Sequence, residues 1–170
     1  WHANHHDDWH SLTARPGWLR LYPQLAASCL NRQPNLLLQK FPARHFAVET
    51  GLELSGLQAG EEAGLAVVGE KSARFGLQYD GLKNWLVLHQ DDQPETRCEV
   101  ASHKIKLRVE VGEGGRCSFS HAEAGGFHSI PQTFQAMKGS WIGAKLGLYS
   151  IKTMINGPAG SADFSGFHFH

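Results

Sequence analysis

Phe46-Ala47-Val48-Glu49-Thr50-Gly51-Leu52-Glu53-Leu54 decides the fold, together with the similar run Lys104-Ile105-Lys106-Leu107-Arg108-Val109-Glu110-Val111. In the first, Phe46, Val48, Thr50, Leu52 and Leu54 alternate with Ala47, Glu49, Gly51 and Glu53. In the second, Ile105, Leu107, Val109 and Val111 alternate with Lys104, Lys106, Arg108 and Glu110. A period of two with one apolar and one polar face marks a half-buried antiparallel strand, because successive side chains of a strand point to opposite faces. Working outward, further strands are predicted at Trp18 to Tyr22, Leu36 to Phe41, Ala63 to Val68, Ala73 to Tyr79, Trp85 to Gln90, Arg116 to His121, Ala144 to Ser150 and Asp163 to His170. Turn signals such as Asp80-Gly81 and Gly112-Glu113-Gly114-Gly115 separate them. Pro23 to Leu30 and Pro131 to Lys138 are read as one or two helical turns each.

Short strands with so little helix must bury their apolar faces on one another. An all-β chain of two antiparallel sheets in a jelly-roll sandwich is therefore expected, with a barrel as the alternative. The 170 residues, 41% of them hydrophobic, suffice for one domain with its own core. Leu19, Leu21, Phe46, Val48, Leu52, Leu65, Val67, Leu107, Val109, Leu146, Leu148, Phe164 and Phe167 are expected to face inward. Sixteen Lys+Arg against sixteen Asp+Glu leave no field of one sign, and no apolar run is long enough to span a bilayer as a helix. No nucleic-acid or membrane partner is expected. Cys29, Cys98 and Cys117 are odd in number and widely spaced, so they are read as ordinary thiols, and the compartment stays open.

The residues alone offer no evident catalytic set. Glu61-Glu62 and Asp91-Asp92 are adjacent pairs flanked by turn residues and are read as solvated loop charge. There is no phosphate-cradling glycine loop and no nucleophile elbow. His2, His5, His6 and His10 with Asp7 and Asp8 could collect a transition metal, but a flexible terminus sets no coordination geometry. Five tryptophans raise the possibility of sugar stacking, weighed against core or interdomain packing.

Several motifs, in order along nearly the whole chain, resemble one family. Trp9-x-Ser11-Leu12-Thr13-x-Arg15-Pro16-Gly17-Trp18-Leu19-Arg20-Leu21 resembles the opening of the C-terminal concanavalin A-like domain of glycoside hydrolase family 43, the β-xylosidases and α-L-arabinofuranosidases. Asn35-Leu36-Leu37-Leu38-Gln39-Lys40, Gly60-Glu61-Glu62-Ala63-Gly64-Leu65, Trp141-Ile142-Gly143-Ala144-Lys145-Leu146-Gly147-Leu148-Tyr149 and Ala162-Asp163-Phe164-Ser165-Gly166-Phe167 are similar to its later segments. Trp1-x-x-Asn4-His5 resembles the W-x-W-N-H joining catalytic propeller to sandwich, with Ala3 in place of the second Trp. Ser165 likewise replaces the second Asp of the closing motif.

The resemblance implies that residues 1–10 are the remnant of an interdomain linker and 11–170 a single sandwich. It also implies a catalytic β-propeller upstream of Trp1, carrying the three catalytic acids, so this chain alone is expected to be inactive on aryl xylosides and arabinosides. Trp141, Trp1 and His5 are the expected substrate-pocket or interdomain contacts, with a xylo- or arabino-oligosaccharide at the interface. Asp163 is the candidate ligand should calcium be bound, or else the anchor of the final strand. An independent carbohydrate-binding module is the rival reading. A complete lectin-like or lyase-like enzyme on this fold is a third.

Overall fold

The computed structural model describes residues 6–170 except Leu57, Asp92, 140–141 and 154–158. Among the described residues, fourteen strands run in chain order: β1 (His10–Ser11), β2 (Leu19–Leu21), β3 (Gln24–Leu25), β4 (Leu37–Lys40), β5 (Phe46–Ser55), β6 (Glu61–Val68), β7 (Ser72–Tyr79), β8 (Asn84–Gln90), β9 (Thr96–Val100), β10 (Lys104–Val111), β11 (Arg116–Ala122), β12 (His128–Gln135), β13 (Lys145–Lys152) and β14 (Ser161–Phe169). One sheet has the order β1-β2-β14-β5-β10-β11-β12 and the other β3-β13-β6-β7-β8-β9, with β4 also pairing β13. Every pairing is antiparallel except that of β3 with β13. The last two strands enter different sheets, β13 beside β6 and β14 beside β5, which closes the sandwich with contacts distant in sequence.

The two runs that decide the fold lie side by side, Val109 opposite Val48 and Ile105 opposite Leu52. Their alternation is realised residue by residue: every second side chain of β5, from Phe46 to Leu54, is buried. All the expected core residues are buried except Leu19 and Phe167, which pack half-buried against the core. A smaller apolar cluster of Leu30, Leu36, Ala66, Val68, Tyr149 and Ile151 lies apart from this core. Ala66 and Tyr149 are out of phase with inward Leu65 and Leu148, so segment 26–38 covers the outer face of the second sheet there.

The structure corrects two local readings. Pro131 to Lys138 is not helical: residues up to Gln135 belong to β12, an edge strand, where the missing N–H of Pro131 can face away from the ladder. Pro23 to Leu30 contains the short strand β3 and ends at a single 3-10 turn, Leu30–Arg32. Residues from Asp7 onward are part of the fold, since Trp9 is buried and His10 pairs with Leu21. Cys29 and Cys98 are exposed thiols, whereas burial pushes Cys117 up to about 12.

Candidate functional site

Glu61 and Glu62 are not loop charges, which corrects the sequence reading. Both lie in β6, at 2% and 3% exposure, and as neighbours in a strand they need partners on opposite faces. Glu61 accepts hydrogen bonds from the Gly160 and Gln58 amides and so staples the approach to β14 onto β6. Asp91 accepts from both the amide and the hydroxyl of Ser72, joining the end of β8 to the start of β7. Its neighbour Asp92 lies outside the described residues.

Glu62 sits at the centre of a charged network on the outer face of the second sheet. Its Oε1 accepts from Tyr149 Oη at 2.6 Å and from Arg74 Nε at 2.8 Å. His89 stands between Glu62 and Glu95, with Nε2 3.2 Å from one carboxylate and Nδ1 3.2 Å from the other. The register explains how side chains from four strands converge, with His89 of β8 directly opposite Arg74 of β7. Gly64 lies between Gly76 and Tyr149 in one cross-strand row, and Glu62 and Arg74 stand two residues away from that row on opposite sides. With no side chain at Gly64 or Gly76, the long arms of Glu62 and Arg74 can meet over the gap, and a Cβ at either glycine would strike the neighbouring backbone. Burial pushes the Glu62 carboxyl up, but His89, Arg74 and Tyr149 together outweigh it and hold it below the ordinary carboxylate range. The Tyr149 hydroxyl, buried beside that carboxylate, is pushed well above its usual value. Tyr149 is wholly inaccessible, so the pair cannot serve as an open acid and base.

Asp163 is fully buried on the other sheet. Arg20 donates to both of its oxygens, at 2.7 and 2.8 Å, and Arg15 donates to Oδ2 at 3.0 Å while also bridging to Glu53. Burial raises its pKa, but Arg20 and Arg15 prevail and lower it. These surroundings do not fit calcium, which takes roughly six to eight oxygens and would here meet two guanidinium charges already holding the Asp163 carboxylate. The geometry is that of an anchor tying β2 and the preceding loop to β14. Asp163→Asn should therefore lower stability by about 1–3 kcal/mol, since one charge-assisted partner is lost while both arginines can turn toward water. Chemical denaturation checks this, and an unchanged midpoint would contradict it.

Trp1, His5 and Trp141 lie outside the described residues. Around Trp141, Gly139 N–H donates to the Ile142 carbonyl at 2.8 Å, and Met137 and Ile142 are both exposed. Three tryptophans are described. Trp9 is buried against the His6 ring, Arg15 stacks 3.8 Å over Trp18, and Arg97 stacks 4.1 Å over Trp85, whose indole N–H is held by Asp80. Among the described residues, no group of three or more His, Cys, Asp and Glu is arranged to hold a metal.

Fold and surface together define a concanavalin A-like sandwich with an ionic network centred on a buried carboxylate on each outer face. The chain belongs to the family of β-xylosidase C-terminal concanavalin A-like domains, whose profile matches residues 1–170. Solved structures with the same fold include a bifunctional GH43-CE protein of Bacteroides eggerthii, at TM-score 0.86 and 20% identity, covering 98% of this chain and 23% of that one. Another is a xylan β-1,4-xylosidase of Bacillus halodurans, at TM-score 0.81 and 19% identity, covering 97% of this chain and 35% of that one. An alginate lyase of Klebsiella pneumoniae shares the fold at TM-score 0.64 and 10% identity, covering 98% of this chain and 85% of that one. The chain thus spans 23% to 35% of the length of the first two. No curated protein matches it by sequence.

Proposed function

We propose that the chain is the accessory C-terminal sandwich of a family 43 glycosidase of β-xylosidase or α-L-arabinofuranosidase type. It packs on a catalytic propeller of the same polypeptide and shapes one wall of the substrate pocket, without catalysing the reaction itself. The observation that carries this reading is the family match along the whole chain, beside GH43 structures about three to four times as long. Met137 and Ile142, which stand on either side of Trp141 in the sequence, support it further as exposed apolar side chains suited to contact with a second domain. Trp1 and His5 belong to the same proposal as contacts of the interdomain link. The rival, a module stacking sugars on aromatic platforms, is disfavoured because Trp18 and Trp85 each already carry an arginine on the ring face.

In the full-length enzyme, Trp141→Ala should lower kcat/KM on a xylo- or arabino-oligosaccharide about tenfold, equivalent to about 1.4 kcal/mol. The melting temperature should not move. Unchanged steady-state kinetics in a normally folded variant would overturn the assignment of Trp141 to the pocket.

A further inference from the structure

At one end of the sandwich three segments are stitched together. Asn31 Nδ2 donates to the Gly69 carbonyl at 2.9 Å, and the Glu70 amide donates to the Lys138 carbonyl at 3.2 Å. The Met137 carbonyl occupies the place a Cβ on Gly69 would need, so the turn between β6 and β7 seats directly on the chain leading to Trp141. Beside this junction, segment 27–30 and the adjoining ends of β7 and β8 enclose a cleft of about 220 Å³. Ser28, Cys29, Ser72, Arg74, His89 and Asp91 line it.

The cleft has a prepared floor. Buried Glu62, itself held by Tyr149, fixes the Nε side of Arg74, and the Glu62 and Glu95 carboxylates lie 3.2 Å from the two ring nitrogens of His89. The terminal nitrogens of Arg74 make no hydrogen bond among the described residues, and its side chain is 29% exposed, which leaves donors available to the cleft. Glu62, Glu95 and Asp91 outnumber the cations Arg74 and, when protonated, His89. A bound anion would therefore gain nothing from the local charge. A neutral polyol, whose hydroxyls can donate to the Asp91 carboxylate and accept from the Arg74 guanidinium, matches this lining. The volume lies below the roughly 300–1,000 Å³ of drug-sized sites and suits a single sugar ring.

We infer that this cleft is a subsite for one neutral sugar residue of an oligosaccharide, held by Arg74, Asp91 and Ser28 beside the junction of the β6–β7 turn with Met137 and Lys138. It rests on the proposed function only for the kind of sugar, a pentose such as xylose.

Cys29 on the rim provides the readout, and exposed Cys98 on β9 the internal reference. The full-length protein is alkylated with a maleimide, with and without xylotriose, and modification of each cysteine is followed by peptide mass spectrometry. Xylotriose at about ten times its Kd should slow Cys29 about tenfold and leave Cys98 unchanged. Trigalacturonate should have no such effect. Ser28→Trp, at an exposed position, should fill the cleft and abolish protection without unfolding the sandwich. Unaltered Cys29 kinetics up to saturating xylotriose, equal protection by the uronate, or protection that survives in Ser28→Trp would each overturn the inference. The Trp141 kinetics depend on a different residue, so failure of the pocket assignment is distinguishable from failure of this subsite.

Discussion

Glu62→Ala lowers the folding free energy by about 3–5 kcal/mol, the range for removing one member of a buried ion pair. The variant leaves the Tyr149 hydroxyl and the Arg74 Nε–H without their shared acceptor and removes the carboxylate 3.2 Å from His89 Nε2, and Tyr149 has no route to water. Glu62→Gln should cost less, because its amide oxygen can still accept from Tyr149. The same network and the Asp163 anchor on the other sheet both contribute to stability against acid. Glu62 and Asp163 both have folded pKa values below those of the unfolded chain, so each stabilises the fold above the unfolded value of about 4. That contribution disappears as pH falls through the folded values. The melting temperature should hold near neutrality and drop below about pH 4, with a shallower drop in Glu62→Gln. Identical acid profiles for wild type and Glu62→Gln would contradict the assignment.

Leu107→Ala is the second large effect, at about 2–5 kcal/mol. Leu107 is 0% exposed and stands in β10 between β5 and β11, opposite Thr50 and His121. With strands fixed on both sides, the site can collapse little around the lost methyl and methylene groups, so the cavity persists. Guanidinium denaturation should show a reduced midpoint at unchanged slope. A loss under about 1 kcal/mol would mean that the core relaxes into the space.

The strands legible in the sequence are those with one face on the core. β5 and β10 sit inside their sheet, so each carries an unbroken apolar stripe that no loop would need. β9 and β12 escaped because both are edge strands. Thr96–Val100 buries only Val100 and His128–Gln135 only Phe134, so neither shows the alternation that announces a strand. Proline in β12 then favoured the wrong reading. Glu61 and Glu62 were misread for a different reason. Two adjacent acids after a glycine look like a turn, and their partners Gly160, Arg74, His89 and Tyr149 are brought to them by cross-strand register. The available signal was the uninterrupted Ala63 to Val68 run directly after them, which extends a strand backward through both glutamates. The family motifs carried the recognition of the fold, and they also located Asp163, whose arginine partners already stand at Arg15 and Arg20 within the opening motif.

The central claim, that this sandwich docks through the Trp141 end onto a catalytic domain of the same polypeptide, is tested most directly by amide hydrogen exchange. Exchange in the segments around Glu70 and Met137 to Ile142 is compared between the full-length enzyme and a version whose catalytic domain has been released by a protease site engineered into the linker. Docking predicts faster exchange in those two segments after release, with β5 and β10 unchanged. Equal exchange there before and after release, with the sandwich still folded, would contradict it.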